Sequence, residues 1–336
     1  MNYKLFGNTG LRVSPFCLGT MAFGTSWGFG AEKSESLKIV RNYIDLGGNF
    51  IDTANVYTSG EAEEIVGESI KDIRDKIILS TKFSLCTDTS NPNSLGNNRK
   101  NLKVSVEESL KRLRTDYIDL LWVHAWYFEN RSEDVIRALD DLIREGKVLY
   151  WGLSDTPAWV CSESNAIANY RGYAPLSALQ FEYSLIERTA EREIIPFADN
   201  YNIAKLGWAP LAGGVLSGKH HRVLPSNVNS LRKERAANKR NEKVDEILDV
   251  LIDASSKIGV TPSQLSLKWL INTQKNFVPI IGARTSEQLA ENMQALEINV
   301  DDEIINTLSH ISNIEPGFPT NFLNSERTKN VMYAGF

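Results

Sequence analysis

The sequence predicts an α/β fold, a (β/α)8 TIM barrel in which eight parallel strands are surrounded by helices. Apolar runs rich in β-formers alternate with helix-patterned stretches along the chain, and eight such pairs can be counted. The strand-like runs are apolar throughout, which is typical of parallel strands covered on both faces. One barrel can occupy a chain of 336 residues, so we expect a single domain over residues 1–336.

The elements are predicted in alternation. Strand-like runs cover residues 16–19, 49–53, 77–81, 118–123, 149–153, 178–181, 203–208 and 278–281. Helical patterns cover residues 34–46, 62–72, 102–113, 133–145, 157–169, 190–200, 262–272 and 286–295. Two helices carry start signals, because Ser132 precedes residue 133 as a capping residue and Thr261 precedes Pro262, which suits the first helical position.

An open, doubly wound sheet is the alternative arrangement of such units. It would normally carry G-x-G-x-x-G after its first strand, and Gly24, Gly28 and Gly30 do not match that spacing. Eight units therefore favour the closed barrel. Two segments lie outside the repeat: residues 1–13 predict an N-terminal β-hairpin at the bottom of the barrel, and residues 217–243 predict a long, polar, mostly basic loop after strand seven.

Composition excludes several classes of protein. Hydrophobic residues make up 42% and charged residues 24% of the chain, which excludes collagenous, coiled-coil and disordered proteins. The three cysteines include no C-x-x-C pair and the four histidines lack a zinc spacing, so we expect neither disulfides nor a metal site. The net charge of −5 disfavours nucleic acid as a partner.

The sequence also bears on location. No window approaches the roughly 18 apolar residues of a membrane span, and residues 1–10 lack the apolar core of a signal peptide. We therefore expect a cytoplasmic protein that has no membrane partner. The sequence leaves its oligomeric state open.

Three consecutive predicted strands end in polar side chains, at the end of the barrel where active sites lie. Asp52 follows the second strand, Lys82 the third and His124 the fourth. Neighbouring parallel strands lie about 4.8 Å apart, so we expect these side chains to meet at one rim. Tyr57 lies five residues beyond Asp52, and we expect its hydroxyl to reach the same place.

Each of these residues alone also fits an ordinary role, such as a helix cap for Asp52 or a core histidine for His124. Together they predict a site that gives a proton to a carbonyl group under reduction. A tyrosine with a pKa near 10 is a poor acid at neutral pH unless a cation favours its phenolate, and Lys82 is expected to be that cation. Asp52 would hold the ammonium, and His124 would orient a substrate oxygen.

Longer stretches resemble the aldo-keto reductase family, in its aryl-alcohol dehydrogenase-like bacterial or fungal type. They are GGNFIDTANVY (47–57), GEAEEIVG (60–67), STK (80–82), DLLWVH (119–124), GLS (152–154), LQF (179–181), WAPL (208–211) and PIIGAR (279–284). They follow the family's order over nearly the whole chain. The resemblance implies an oxidoreductase that reduces aldehydes and ketones, with NADPH preferred to NADH, on a barrel without a Rossmann domain.

The resemblance also assigns roles in catalysis and substrate binding. It makes Tyr57 the acid/base, Lys82 and Asp52 its partners, and His124 the residue that orients the substrate. The substrate pocket is expected to be aromatic, which suits an apolar, aryl or stacked sugar substrate. Its expected lining consists of Phe23, Trp27 and Trp126 together with Tyr57 and His124.

A nicotinamide site is implied at the next strand ends. Ser154 and Gln180 match the residues that hold the carboxamide, and Trp208 matches the aromatic residue that stacks on the ring. Asp155 departs from the family, which commonly has Asn there. Asp155 is still expected to bind the cofactor, but a carboxylate accepts hydrogen bonds and cannot donate them, so its contact with the carboxamide would differ from that of the family's Asn.

The phosphates of the cofactor are expected at the loops after strands seven and eight. Residues 213–220 nearly match the P-loop pattern, but His220 replaces the magnesium-binding hydroxyl, which argues against an ATPase; Lys219 still suits a pyrophosphate. The spacing of Arg284, Gln288 and Asn292 is four residues, which is typical of one helix face. This face is either solvated or binds the cofactor, with Arg284 at the adenosine 2′-phosphate and Gln288 and Asn292 at the adenosine. The remaining expected cofactor contacts are Gly19, Thr20, Met21, Asp52, Ala209, Pro210, Leu211, Gly213, Gly218, Gly282 and Glu291.

A second class of function stays open at this point. The family includes potassium-channel β-subunits, which bind the cofactor, keep the four catalytic positions and report redox state to a partner. Turnover separates the two hypotheses, because a regulatory subunit would consume NADPH extremely slowly.

Overall fold

The computed structural model describes residues 1–219 and 241–334. Its strands are β1 Lys4–Leu5, β2 Arg12–Val13, β3 Cys17–Gly19, β4 Phe50–Asp52, β5 Ile78–Phe83, β6 Ile118–Val123, β7 Val148–Ser154, β8 Ala178–Glu182, β9 Ala204–Trp208 and β10 Phe277–Gly282. Strands β3 to β10 are all parallel to their neighbours and close a barrel in which β10 pairs with β3. The predicted (β/α)8 barrel is confirmed.

The described helices surround this barrel. They are α1 Lys33–Asp45, α2 Glu61–Ile70, α3 Arg99–Leu113, α4 Ser132–Arg144, α5 Ala158–Arg171, α6 Ile194–Asn200, α7 Glu242–Lys257, α8 Pro262–Thr273, α9 Ser286–Gln294, α10 Asp302–Ile311, α11 Thr320–Asn324 and α12 Glu326–Met332. Helices α7, α10, α11 and α12 were not among the eight predicted. Apolar residues of α7 nevertheless recur at helical spacing, and Val244, Leu248 and Leu251 are buried.

The basic loop predicted over residues 217–243 ends earlier than expected, because helix α7 already begins at Glu242. Asn241 accepts a hydrogen bond from the backbone of Val244 at 3.0 Å, and this cap starts α7 at Glu242. Residues 220–240, with His220, lie outside the described part of the chain.

The two predicted helix starts have different outcomes. Thr261 and Gln264 form a reciprocal capping box at the start of α8, with Pro262 in the first helical position, as predicted. The prediction for Ser132 is wrong, because α4 begins at Ser132 itself and its hydroxyl donates to Glu163 instead of capping the helix.

The N-terminal hairpin closes the bottom of the barrel, as predicted. Strands β1 and β2 pair antiparallel, and Phe6 between them is buried against Phe50, with ring centroids 5.3 Å apart. The hydroxyl of Tyr150 donates to the backbone oxygen of Thr9 at 3.1 Å. Since Phe50 begins β4 and Tyr150 lies near the start of β7, the hairpin covers the end of the barrel opposite the predicted site.

Alternation along the strands separates two parts of the core. One part lies between barrel and helices, and the other fills the barrel. The interior part comprises Phe6, Val13, Cys17, Phe50, Leu120, Trp122, Ala178, Ala204, Leu206, Val278 and Ile280. Gly152 belongs to the same layer because a side chain there would lie 2.4 Å from the Trp122 ring.

Candidate active site

The strand register brings the predicted polar residues to the mouth of the barrel. Asp52 pairs with Ser80, and Lys82 lies two residues beyond Ser80, so both side chains face the interior. His124 directly follows β6 and lies two residues beyond the interior residue Trp122. The same alternation therefore collects all three side chains above the interior core.

Asp52, Lys82 and Tyr57 form one connected cluster. The Lys82 ammonium donates to Asp52 Oδ2, to the backbone oxygen of Thr53 at 2.8 Å and to the Tyr57 hydroxyl at 3.2 Å. The other carboxylate oxygen of Asp52 accepts from Ser80 at 2.6 Å and from Gln180 at 3.3 Å. Lys82 is only 1% and Asp52 only 2% exposed, so this is a buried ion pair with additional hydrogen bonds to both members.

The electrostatics of the cluster correct one expectation. Burial would lower the pKa of Lys82, but Asp52 and Tyr57 beside it raise that pKa above its usual value. Burial raises the pKa of Tyr57, and Asp52 adds to this, while Lys82 acts in the opposite direction but does not prevail. Lys82 was expected to favour the phenolate, but burial, together with the charge of Asp52, outweighs the effect of Lys82, so the phenol form is favoured instead.

His124 completes the cluster. Its ring centroid lies 5.8 Å from that of Tyr57, in an edge-to-face arrangement. Burial, and then the charge of Lys82, hold the pKa of His124 well below its usual value. Its Nδ1 is buried without a hydrogen-bond partner in the described part of the protein. The imidazole is therefore neutral, and it could orient a carbonyl oxygen without protonating it.

Tyr57 is held by an unusual turn. It opens a short 3-10 segment, Tyr57–Gly60, in which Thr58 and Ser59 have φ angles of 46° and 57°. This left-handed region is strained for a β-branched residue such as Thr58. The strain is offset by hydrogen bonds, since the Thr58 hydroxyl donates to Phe23 at 2.8 Å and accepts from the backbone of Ala62 at 3.1 Å.

The residues expected at the nicotinamide also lie together. Ser154 pairs with Gln180 across β7 and β8, and Trp208 ends the neighbouring strand β9. Asp155 Oδ1 accepts a hydrogen bond from Trp208 Nε1 at 2.9 Å. These residues fit a nicotinamide. The Ser154 hydroxyl and the Gln180 amide could hold the carboxamide group, and the half-exposed indole of Trp208 could stack on the nicotinamide ring.

Two loops at the same end could hold the phosphates. After β9, the turn Ala212–Ser217 contains Gly213 and Gly214 at φ angles of 70° and 103°, which favour glycine, and Lys219 beyond it is exposed. After β10, Arg284 is exposed and its backbone N–H donates to the Gln288 side chain at 3.0 Å. Only Gln288 and Asn292 lie on α9, so Arg284 does not share the helix face that its spacing predicted.

The remaining residues expected to bind the cofactor line the same rim or support it. Thr20, after β3, donates through its hydroxyl to the backbone oxygen of Asp52 at 3.1 Å, while Met21 is exposed. Asn292 is buried, and the backbone oxygen of Glu291 accepts from Gln264. Gly19, Ala209, Pro210, Leu211, Gly218 and Gly282 all lie at or beyond the carboxyl ends of β3, β9 and β10.

The aromatic residues expected at the substrate differ in accessibility. Trp27 is 38% exposed, and its ring centroid lies 6.3 Å from that of Tyr57. Trp126 is largely buried, and Phe23 is fully buried behind Thr58. Trp27 is therefore placed to contact a substrate, whereas Phe23 supports the pocket from within the core.

A polar cavity that no sequence pattern predicted lies beside Trp27. It has a volume of about 440 Å³ and lies between the Tyr57 turn, the loop after β5 and helix α3. Its lining is Trp27, Asn55, Val56, Ser59, Cys86, Thr87, Asn91, Asn93, Ser94, Lys100, Asn101, Val104, Ser105, Glu108 and Arg112. Asn55, in the loop after β4, and Asn101, on helix α3, are buried on its wall. They were not singled out because an isolated amide side chain carries no recognisable sequence motif.

The described residues contain neither a metal-binding cluster nor a membrane-spanning helix. Across residues 1–219 and 241–334, no group of three or more His, Cys, Asp or Glu side chains could hold a metal ion. No helix in the same ranges is long and apolar enough to cross a membrane.

A parallel barrel with these groups at its mouth has the architecture of a barrel oxidoreductase, and comparison with known proteins identifies the family. The family model described as Aldo/keto reductase family matches residues 15–313. The chain is 36% identical to a norsolorinic acid reductase of Aspergillus flavus, over 95% of this chain and 83% of the relative. It is 33% identical to an aryl-alcohol dehydrogenase [NADP(+)] of Phanerodontia chrysosporium, over 94% of this chain and 87% of the relative.

The chain belongs to the aldo/keto reductase family. It is therefore an oxidoreductase of a family that acts on small carbonyl compounds with nicotinamide cofactors. A putative aryl-alcohol dehydrogenase of Saccharomyces cerevisiae, 34% identical over 94% of this chain and 88% of the relative, belongs to the same group of similar proteins. The family resemblance noted in the sequence is confirmed.

Proposed function

We propose that this protein reversibly reduces an aldehyde or ketone to the alcohol, with NADPH as hydride donor and Tyr57 as proton donor. The observation that supports this most is the 3.2 Å contact between the Lys82 ammonium and the Tyr57 hydroxyl, made by a lysine that is itself held by Asp52. Hydride transfer from the cofactor leaves charge on the substrate oxygen. A neutral phenol held at that oxygen gives up its proton as this charge develops.

Each member of the cluster has a separate task in this proposal. Tyr57 donates its proton, and Lys82 stabilises the phenolate that forms, because its ammonium already contacts the phenol oxygen. Asp52 fixes the lysine. His124, neutral at physiological pH, donates a hydrogen bond that orients the carbonyl oxygen before transfer.

The proposed cofactor contacts follow the strand ends around the mouth. Ser154 and Gln180 would hold the carboxamide, and Trp208 would cover one face of the ring. Lys219 and the glycine turn before it would hold the pyrophosphate. Arg284 would bind the 2′-phosphate, which supports NADPH over NADH.

We propose an aryl carbonyl compound as substrate. Trp27, exposed beside Tyr57, offers an aromatic face to such a ring. A similar protein named aryl-alcohol dehydrogenase [NADP(+)] also acts, by its name, on aryl alcohols. Oxidation of NADPH over a panel of aryl aldehydes, short aliphatic aldehydes, dicarbonyls and keto-sugars would identify the class.

The test of the mechanism is Tyr57→Phe. This change removes the proton and keeps the ring, so kcat should fall by about 10²- to 10⁴-fold, while the NADPH dissociation constant stays within about threefold. Lys82→Met should be comparably slow, and the double variant little slower than either, because the two residues act as one unit. Unchanged turnover in Tyr57→Phe would contradict the mechanism. NADPH binding without turnover in the unaltered protein would favour a regulatory subunit.

A further inference from the structure

Asp155 lies at the nicotinamide end of the proposed cofactor site and is fixed on two sides. It directly follows β7, with a φ angle of 44°, a left-handed conformation that Asp and Asn tolerate better than most residues. Its backbone N–H donates to Gln180 at 3.0 Å, and its side chain accepts from Trp208 Nε1 at 2.9 Å. The carboxylate therefore lies at the edge of the Trp208 ring.

The catalytic cluster does not neutralise this carboxylate. Asp52 and Lys82 form a buried ion pair whose charges cancel. The pKa of Tyr57 is raised, chiefly by burial, and that of His124 is lowered, chiefly by burial, so both side chains are neutral near pH 7. Burial raises the pKa of Asp155 above its usual value, while the hydrogen bond from Trp208 and the charge of Lys82 oppose this shift. The ionised form of Asp155 adds one negative charge to a cluster that is otherwise close to neutral.

The two redox forms of a nicotinamide differ in charge, because the oxidised ring is cationic and the reduced ring is neutral. A ring stacked on Trp208 would take water away from Asp155, which is accessible in the free protein. Removing water from a carboxylate is unfavourable unless an opposite charge replaces the water. Only the oxidised ring supplies that charge.

We propose that Asp155 biases the site towards the oxidised cofactor, so that NADP⁺ binds more tightly relative to NADPH than it would with a neutral residue at this position. This inference rests on the proposed function, since it requires a nicotinamide against Trp208. Tighter binding of the oxidised form makes bound NADPH a stronger reductant, because the product complex is stabilised. Asp155 would therefore favour the carbonyl-reducing direction on the protein.

Asp155 also anchors Trp208, and the experiment has to separate anchoring from charge. Asp155→Asn removes the charge, keeps an oxygen that accepts from the indole, and tolerates the left-handed backbone. Trp208→Phe removes the indole N–H but keeps an aromatic ring and the charge of Asp155. Asp88→Asn removes one charge from an exposed loop at the same end of the barrel and serves as the matched control.

The measurement is the dissociation constant of NADP⁺ and of NADPH for each protein by isothermal titration calorimetry at pH 8 and fixed ionic strength. In Asp155→Asn the ratio of the NADP⁺ constant to the NADPH constant should rise about tenfold, which is modest for one charge pair at short range in a partly buried site. Trp208→Phe and Asp88→Asn should leave the ratio within about twofold of the unaltered protein, even if Trp208→Phe weakens both forms.

Two results would overturn the inference. One is an unchanged ratio in Asp155→Asn. The other is an equal shift in Trp208→Phe, which would assign the effect to placement of the ring. If the unaltered protein bound neither form, the proposed function itself would fail, a result distinct from tight binding with no dependence on Asp155.

Discussion

Tyr57, the proposed acid/base, shows how burial decides a pKa when a nearby charge is already paired. Lys82 contacts the Tyr57 hydroxyl, yet its charge is balanced by Asp52, so burial controls the outcome and the pKa of Tyr57 rises above its usual value. A raised pKa keeps the proton on Tyr57 at physiological pH. This suits the carbonyl-reducing direction, in which the tyrosine must arrive protonated.

These shifts predict a flat pH profile for the reductive reaction. The pKa of Tyr57 lies above its usual value of about 10, and that of His124 below its usual value of about 6.5, so neither group should titrate between about pH 6.5 and 9. We expect kcat for carbonyl reduction, measured with saturating NADPH, to vary less than about twofold over this range. His124→Asn, which cannot titrate, is the control. If kcat changed with pH near pH 7 in the unaltered protein but not in this variant, the claim that His124 is neutral would be contradicted.

At the scale of elements, the loop between β10 and α9 carries the expected cofactor preference. Arg284 is exposed, and its backbone is tied to Gln288 on α9, so the guanidinium projects from a short, fixed loop. Thr285 caps α9 by accepting from the backbone of Gln288. This combination offers a cation beside a helix N-terminus, and both attract phosphate.

Arg284→Ala should therefore remove most of the preference for NADPH over NADH. A charge-assisted contact of about 1.5–3 kcal/mol corresponds to a roughly 10- to 100-fold rise in the NADPH dissociation constant, with NADH binding nearly unchanged. Fluorescence titration with both cofactors measures the two constants. Arg284→Lys keeps the charge and should retain part of the preference. Equal affinities for NADPH and NADH in the unaltered protein would refute this assignment.

At the scale of the whole molecule, the hairpin and the barrel share one interior. Phe6 and Val13 come from the hairpin, but they pack with Phe50, Trp122 and other residues of the strands. The two short strands of the hairpin could not form a stable structure alone. We therefore propose that the chain folds as one domain.

Phe6→Ala tests this proposal. The change leaves a cavity at the bottom of the barrel, and it should lower the free energy of unfolding by about 3–5 kcal/mol while the protein still unfolds in one transition. Phe318→Ala is the matched control, since Phe318 is 86% exposed and its loss should cost no more than about 0.5 kcal/mol. Urea unfolding followed by circular dichroism and by tryptophan fluorescence measures both. Separate transitions for the two signals would contradict a single cooperative unit.

The sequence by itself determined the barrel and the rim on which the four candidate catalytic residues meet. Strands buried on both faces are apolar throughout, and each lies within two residues of its predicted run. Since Asp52, Lys82 and His124 end consecutive strands, and neighbouring parallel strands lie about 4.8 Å apart, the sequence also predicted that they meet at one rim. Helix α7 was also within reach of the sequence, since its apolar spacing and the Asn241 cap are both local signals.

Only the tertiary structure decided what depends on neighbours that are distant in sequence. The Ser132 hydroxyl donates to Glu163 on another helix, and the Asp155 carboxylate accepts from Trp208, which lies 53 residues away. The direction of the Tyr57 pKa shift also depends on the tertiary structure, because it results from burial and from the distances of Lys82 and Asp52. Local pattern fixes which face a residue occupies, whereas hydrogen-bond partners and electrostatics depend on distances and burial that arise only when the barrel closes.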